Sequence, residues 1–476
     1  MVNFNVLSQR YATKPINDIF SEVGKVVAER ELWIAVMKAQ KEMGVNIPAS
    51  DIEKFEKAKE DVDLAFIEER ERITKHDVKA KIEAFIKVSG AGEYIHQGMT
   101  SRDLTDNVEQ MQIKRASEII FGKYISVLRH FMDKAREYDN IVLTARTHHQ
   151  PAQPTLLGRR FSMWGEELYH HLVGFERFIF EYPLRGIKGP VGTQFDMLTI
   201  LGDEKKVEEL EKRVAKNLDF KKLLDSPGQI YPRSLDFELT SNLAMLSAAC
   251  ANYGIGMRLM AGHELVTEGF KEGQVGSSAM PHKMNTRSSE RINGLAELVK
   301  MYCDGASRIS GEQWEEADVS CSVVRRVVIP DVIYTSDGLI ETTLTVLNKM
   351  GTYETIIENE LERYLPFLAT TEILMTAVEQ GVGREIAHGI IKKYAVAEAL
   401  RMRDDGTSVN NLASMLANDP IFEEKGISED MIDELLRDKS HFVGNARRQI
   451  DQVVELTDLL ISRYKKQAEY EPCDIL

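Results

Sequence analysis

Proline is missing from three long stretches of this chain: between Pro48 and Pro151, between Pro232 and Pro281, and from Pro281 to Pro330. A proline inside a helix removes a backbone hydrogen bond and clashes with the preceding turn, so its absence permits helices far longer than usual. The side-chain pattern uses that freedom. After a Thr100-x-x-Asp103 capping pattern, Leu104, Val108, Met111, Ile119, Leu128 and Met132 recur at three-, four- and seven-type spacings among Glu, Lys and Arg. This predicts one helix from about Arg102 to about Tyr138. The stretch from Ser234 to about Met260 is apolar nearly all round, with Ala248, Ala249, Ala251, Gly254 and Gly256 letting neighbours come close, and is predicted at the middle of a bundle. Strand-like alternation is confined to short pieces near Ile141 to Thr144 and Ile187 to Thr193. The expected fold class is all-α.

The 476 residues are enough for three helical domains. The expected division is an N-terminal helical domain over 1–100, a central long-helix bundle over 101–351 and a C-terminal helical domain over 352–476. Lys and Arg number 60 against 75 Asp and Glu, a formal charge of −15, which opposes nucleic acid or an anionic membrane as partner. An anionic ligand therefore needs a local basic cluster. Leu243 to Ala261 is interrupted by Asn252, Tyr253 and Arg258 and reads as a buried helix, not a membrane span. Residues 1–10 lack a charged segment followed by an apolar one, and Cys250, Cys303, Cys321 and Cys473 form no C-x-x-C pair. A reducing cytoplasmic location is expected, with no structural zinc.

Several segments are too polar for a bundle interior. Gly276-Ser-Ser-Ala-Met-Pro-His-Lys-Met-Asn285 combines a glycine, two hydroxyls, a lysine and a carboxamide. It reads as a loop closing over an anion: glycine lets backbone N–H groups approach, Lys283 adds charge and Asn285 an oriented donor, with a surface turn as the plain alternative. A serine there can be nucleophile, donor or base. Thr74-Lys-His-Asp77, Ile95-His-Gln-Gly-Met-Thr-Ser101, Arg146-Thr-His-His-Gln-Pro-Ala-Gln-Pro-Thr155 and Glu316-Ala-Asp-Val-Ser-Cys-Ser-Val-Val-Arg-Arg326 are also unusual. Histidine titrates near neutrality, so His76, His96 and His148 are candidates for proton transfer, the alternative for each being a capping or packing role. His263-Glu264 lacks the second histidine of a zinc motif, and neither a metal nor a cofactor is expected.

The segments around Thr100-Ser101, Arg146 to Thr155 and Gly276 to Asn285 resemble, in chain order, the three separated signature regions of the fumarase/aspartase superfamily of lyases. The likeness runs over essentially the whole chain. Lys75-His76-Asp77, His282 after Pro281 and Arg10-Tyr11 are similar to members that release fumarate from succinyl-nucleotides. The resemblance implies a homotetramer in which the three regions, from three different subunits, converge on a small-molecule substrate. It implies Ser277 as general base, His148 as general acid and Glu290 as its carboxylate partner, with His76, Asp77 and His96 lining the site. Thr100, Ser101, Gln229, Lys283 and Asn285 would hold the succinyl portion and the base or its carboxamide surrogate. Arg10, Tyr11, Arg291, Ser322 and Arg326 would bind the phosphate and nearby groups. These types suit the chemistry: proton abstraction beside a carboxylate loads that group with negative charge and needs preorganised donors, and guanidinium forks bind phosphate with two hydrogen bonds.

The chain departs from the superfamily pattern twice. Thr286 replaces the proline after Asn285, and Ala317 replaces an arginine expected after Glu316, so either Arg287 or Arg325 substitutes as a phosphate ligand or the phosphate is held less tightly. Rival readings are a superfamily enzyme without need of a phosphate, such as a carboxymuconate cycloisomerase or an argininosuccinate lyase, and a non-catalytic helical assembly protein. No strand followed by G-x-G-x-x-G supports an oxidoreductase.

Overall fold

A computed structural model describes residues 5–269, 280, 282–318 and 320–473. The elements that carry the argument are the helices α1 (Val6–Arg10), α2 (Glu22–Glu42), α3 (Asp77–Ser89) and α4 (Ser101–Glu137), followed by the hairpin strands β1 (Val142–Thr147) and β2 (Gln150–Leu156). The helices α5 (Leu157–Glu181) and α6 (Ser234–Gly262) come next, then β3 (Val266–Thr267), α7 (Arg287–Ile309), α8 (Cys321–Lys349), β4 (Gly351–Thr352), α9 (Glu354–Leu368) and α10 (Ala446–Arg463). The long helix expected from Arg102 to Tyr138 is α4, and the apolar stretch from Ser234 is α6. The fold is all-α, with short strands only.

Helices α4 to α8 make the bundle. The centre of α4 is sealed on all sides, with Tyr124, Ile125, Val127, Leu128 and Phe131 fully buried. The small residues of α6 do what their size allows. A side chain on Gly254 would press against Ile292 of α7, and one on Gly256 would collide with Trp164 of α5. Helix α8 is rich in β-branched and hydroxyl residues yet buried, because the hydroxyls of Thr335, Ser336, Thr342, Thr343 and Thr345 each donate to the carbonyl four residues back. One apolar core runs from Leu7 to Ala468 and includes α10, which returns to the bundle. A second, smaller core joins residues between Ile373 and Ile432.

Two features differ from expectation. The segment Ile187 to Thr193 is not a strand: the N–H groups of Lys188 and Gly189 donate to the buried carboxylate of Asp103 (2.9 and 3.1 Å), not to a neighbouring strand. The Arg146–Thr155 segment, in turn, forms most of an antiparallel hairpin in which Val142 pairs with Leu156 and Thr147 with Gln150. Leu243–Ala261 lies within α6, and among the described residues no helix is long and apolar enough to cross a membrane.

Candidate active site

The predicted site residues fall into three groups on one chain. The first gathers at the N-terminus of α4. Thr100 caps that helix, its N–H donating to Asp103 at 2.8 Å, and Ser101 begins it. Asp103, fully buried, also pairs with Arg185 at 2.5 Å. The Arg185 guanidinium donates in turn to the carbonyls of Gly189 and Gly228 (3.1 and 3.0 Å), which ties Gln229 to the same place. His96 lies close by in a left-handed conformation, φ 66°, its Nδ1 accepting from the Trp33 indole N–H at 3.1 Å. The neutral ring therefore carries its proton on Nε2. Burial depresses the His96 pKa, Asp103 opposes that shift and His76 adds to it. His76 caps α3, its Nδ1 accepting the Lys79 N–H at 3.3 Å, and Asp77 follows as the first helical residue. Ser322 Oγ accepts from Arg102 Nη2 at 3.1 Å, and Arg326 lies one turn further along α8, exposed.

Behind these sits a buried ionic layer. Arg325 bonds Glu109, Asp236 and the Tyr231 hydroxyl, and Asp106 accepts from Arg233 at 3.1 Å. The suggestion that Arg325 substitutes for the arginine missing at Ala317 is thereby corrected: it is buried and its guanidinium is fully engaged. Arg287 is exposed at the first turn of α7.

The second group surrounds the start of α7. The Arg291 guanidinium lies 5.7 Å from the centre of the Tyr11 ring, and Tyr11 packs so tightly on Gly338 of α8 that any side chain there would strike it. Arg10 is exposed at the end of α1. Lys283 and Asn285 line a cleft of about 460 Å³ together with His282, Glu264, Glu268 and Tyr353. Thr286, where the superfamily pattern has proline, is the N-cap of α7, and Glu290 lies exposed in its first turn. Glu268 supplies the cap that Thr286 does not. Its carboxylate accepts the N–H groups of Ser288 and Ser289 and the Ser289 hydroxyl, each at 3.0 Å. Ser277 lies outside the described residues.

The third group is the hairpin. His148 and His149 form its two-residue turn, both with positive φ (52° and 61°). Asn-Gly is the usual occupant of such a turn, so two histidines there hold a conformation unfavourable to them. They border a cleft of about 500 Å³ with Arg146, Arg160, Asn252 and His263. Arg146 pairs with Glu360 at 2.5 Å, and burial lowers the Arg160 pKa to about 10. His148 and Glu290 make no hydrogen bond or ion pair with each other within the chain.

The residues missed in the sequence are Asp103, Arg185, Arg102 and Glu268. Among them only Asp103, at the third position after a threonine cap, carried a local signal. Among the described residues no group of three or more His, Cys, Asp or Glu is placed to hold a metal ion.

A family model described as "Lyase" matches residues 12–300, and one described as "Adenylosuccinate lyase C-terminus" matches residues 366–453. The chain is 34% identical over 454 residues to the adenylosuccinate lyase of Saccharomyces cerevisiae, covering 94% of this chain and 93% of that one. It is 31% identical over 466 residues to the Schistosoma mansoni adenylosuccinate lyase, covering 97% and 96%. Among solved structures, a 3-carboxy-cis,cis-muconate lactonizing enzyme from Pseudomonas putida superposes with a TM-score of 0.81 at 19% identity, over 97% of this chain and 99% of that one. That likeness speaks for the fold alone.

Proposed function

From the premise that this chain belongs to the adenylosuccinate lyase family, within the fumarase/aspartase superfamily, we propose how its residues carry out the family's reaction. The enzyme is a carbon–nitrogen lyase that splits adenylosuccinate into AMP and fumarate, with the succinocarboxamide ribotide of the purine route as a second substrate. In the proposed mechanism Ser277 removes a proton from the succinyl carbon next to a carboxylate. The aci-carboxylate that forms is held by Lys283, Asn285, Thr100 and Ser101, donors that need no rearrangement as charge develops. The carbon–nitrogen bond then breaks, its electron pair leaves with the nitrogen, and His148, oriented by Glu290, protonates that nitrogen. His76, Asp77, His96 and Gln229 line the site, and Arg10, Tyr11, Arg291, Ser322 and Arg326 bind the phosphate end.

One geometric observation supports a site shared between subunits. Arg326 and Gly338, on which Tyr11 packs, are twelve residues apart on α8, about 18 Å at the helical rise. Two residues assigned to one phosphate are thus well separated along one helix, which favours a phosphate site completed by another copy. Exposed apolar side chains along the bundle, Met245, Ile255 and Leu259 on α6, Met301 on α7 and Val323 and Val327 on α8, suit burial in a homotetramer. We place the enzyme in the cytoplasm, which its four unpaired cysteines suit. For domain organisation the division at 1–100, 101–351 and 352–476 is retained, supported by the separate small core within the last part.

The test is turnover of adenylosuccinate, followed by ultraviolet absorbance and by chromatography of AMP and fumarate. Ser277→Ala and His148→Ala should each abolish elimination without dispersing the oligomer, and mixing the two inactive proteins should restore part of the activity. Failure of complementation despite proven subunit exchange refutes the shared site.

A further inference from the structure

Position 317, where the superfamily pattern has a phosphate-binding arginine, is filled by Ala317, which packs against an apolar cluster of Ile230, Ile309 and Cys321. Arg325 is engaged in the buried layer. A different guanidinium reaches the start of α8. Arg102 Nη2 donates to Ser322 Oγ at 3.1 Å, and Arg102 Nη1 donates to Asp106 Oδ1 at 3.2 Å. Its side chain is 18% exposed, neither sealed in the core nor free in solvent.

The surroundings aim this side chain. Asp106 is fully buried and divides its oxygens: Oδ1 takes Arg102, while Oδ2 takes Arg233 and the Tyr231 N–H, both at 3.1 Å. One carboxylate thus serves two arginines, while Arg325 holds Glu109 and Asp236. A guanidinium has five N–H donors, and the two contacts to Asp106 and Ser322 leave others for a ligand. The Ser322 hydroxyl, accepting from Arg102, still has its own hydrogen to donate. Ser322 and Arg326 are four residues apart on α8 and share a face. Two guanidinium groups and a hydroxyl therefore stand together beside Thr100-Ser101, the arrangement that a phosphate dianion requires.

We propose that Arg102 is a substrate-phosphate ligand of this enzyme, standing in for the arginine replaced by Ala317. This rests on the reading of Ser322 and Arg326 as phosphate ligands. A chain with this substitution pattern keeps its phosphate affinity although the usual arginine is gone.

The experiment compares wild type, Arg102→Met and Arg102→Gln on adenylosuccinate and on succinyladenosine, which lacks the phosphate. A charge-assisted hydrogen bond to phosphate is worth about 10- to 100-fold. Both variants should lose roughly that factor in kcat/KM on adenylosuccinate, chiefly through KM, and change less than about twofold on succinyladenosine. In binding, affinity for AMP should fall by the same factor and affinity for adenosine should hold. The glutamine variant keeps a polar side chain beside the buried Asp106 carboxylate, so it reports even if the methionine variant folds poorly. Equal losses on the two substrates make Arg102 a structural residue and overturn the proposal, as does undiminished AMP affinity. A wild-type enzyme that handles the two substrates alike refutes the phosphate site itself, a result distinct from either.

Discussion

Replacing Lys123 with methionine puts a number on the linkage between the two ends of the chain. The Lys123 ammonium is 5% exposed and faces two carboxylates, Asp337 and Glu341, that are fully buried one turn apart on α8. It bonds Asp337, lies 2.8 Å from Glu341 and donates to the Thr13 hydroxyl at 3.1 Å. Asp337 keeps one further donor, the Thr13 N–H at 2.6 Å. Glu341 keeps two, the Tyr470 hydroxyl and the Cys473 N–H, both at 2.6 Å. In the methionine variant two buried carboxylates lose the cation they share. Breaking one buried pair costs about 3–5 kcal/mol, so Lys123→Met should lose at least that much. Tyr470→Phe removes one neutral donor to a charged acceptor and should cost about 1.5–3 kcal/mol. Adding Glu341→Gln to Lys123→Met should recover stability, because one of the two stranded charges is then gone. Urea unfolding followed by circular dichroism, at several protein concentrations so that subunit dissociation is separated from unfolding, reads all three. A Lys123→Met protein within about 1 kcal/mol of wild type refutes this reasoning, for it means that water or rearrangement already neutralises the pocket.

Further outcomes follow from single contacts. Glu268→Ala removes the external cap of α7; a loss of about 1–2 kcal/mol and faster amide exchange at Ser288 and Ser289 are expected, measured by unfolding and hydrogen exchange. Arg185→Lys keeps charge but loses the planar fork that joins Asp103 to Gly189 and Gly228, so the KM for adenylosuccinate should rise together with a fall in Tm. For His96 the folded pKa is depressed by burial, so as pH falls below about 6.5 the unfolded chain takes up a proton before the folded one does. Its contribution to stability is complete above that pH and declines below it, levelling off once the folded pKa is passed. His96→Gln should flatten the fall of the urea midpoint as the pH drops below about 6.5.

The helices are legible in the sequence because their cause is local. Absence of proline and apolar spacing place α4 within a residue of its observed Ser101 and Glu137 ends. Of the hairpin only the start of its first strand, near Ile141 to Thr144, is legible; the second strand carries Pro151 and Pro154, and the turn uses two histidines where a glycine pair is the usual sign. The buried charges are hidden for another reason: Asp103 meets Arg185, and Arg325 meets Glu109 and Asp236, across separations no local pattern encodes. The adjacent arginines of α8 were separable, however. Cys321, Arg325, Val328 and Val332 share the four- and three-residue spacing of an inward stripe, and all four are buried, whereas Arg326 is turned about 100° away and exposed. The helix period, applied to charged residues as well as to apolar ones, thus assigns Arg325 to the interior and Arg326 to the surface.

That same period accounts for why residues proposed for one site lie apart on a single chain. A long helix serves well as a ruler and poorly as a cup: α8 carries Ser322 and Arg326 near one end and the Tyr11 contact at Gly338 beyond its middle, and rigid backbone keeps them apart. Bending α8 to join them would break its buried hydroxyl-to-carbonyl bonds. Docking another copy joins such ends at no conformational cost to the helix, and the surface available for docking is apolar: Ile255 and Leu259 of α6, about half exposed, border the same cleft as His148. In the proposed shared site, the burial that drives association is therefore the burial that brings His148 to its partners. Activity should then decline in step with oligomer mass on dilution, and a charge placed at Leu259 should remove both together while leaving helix content intact.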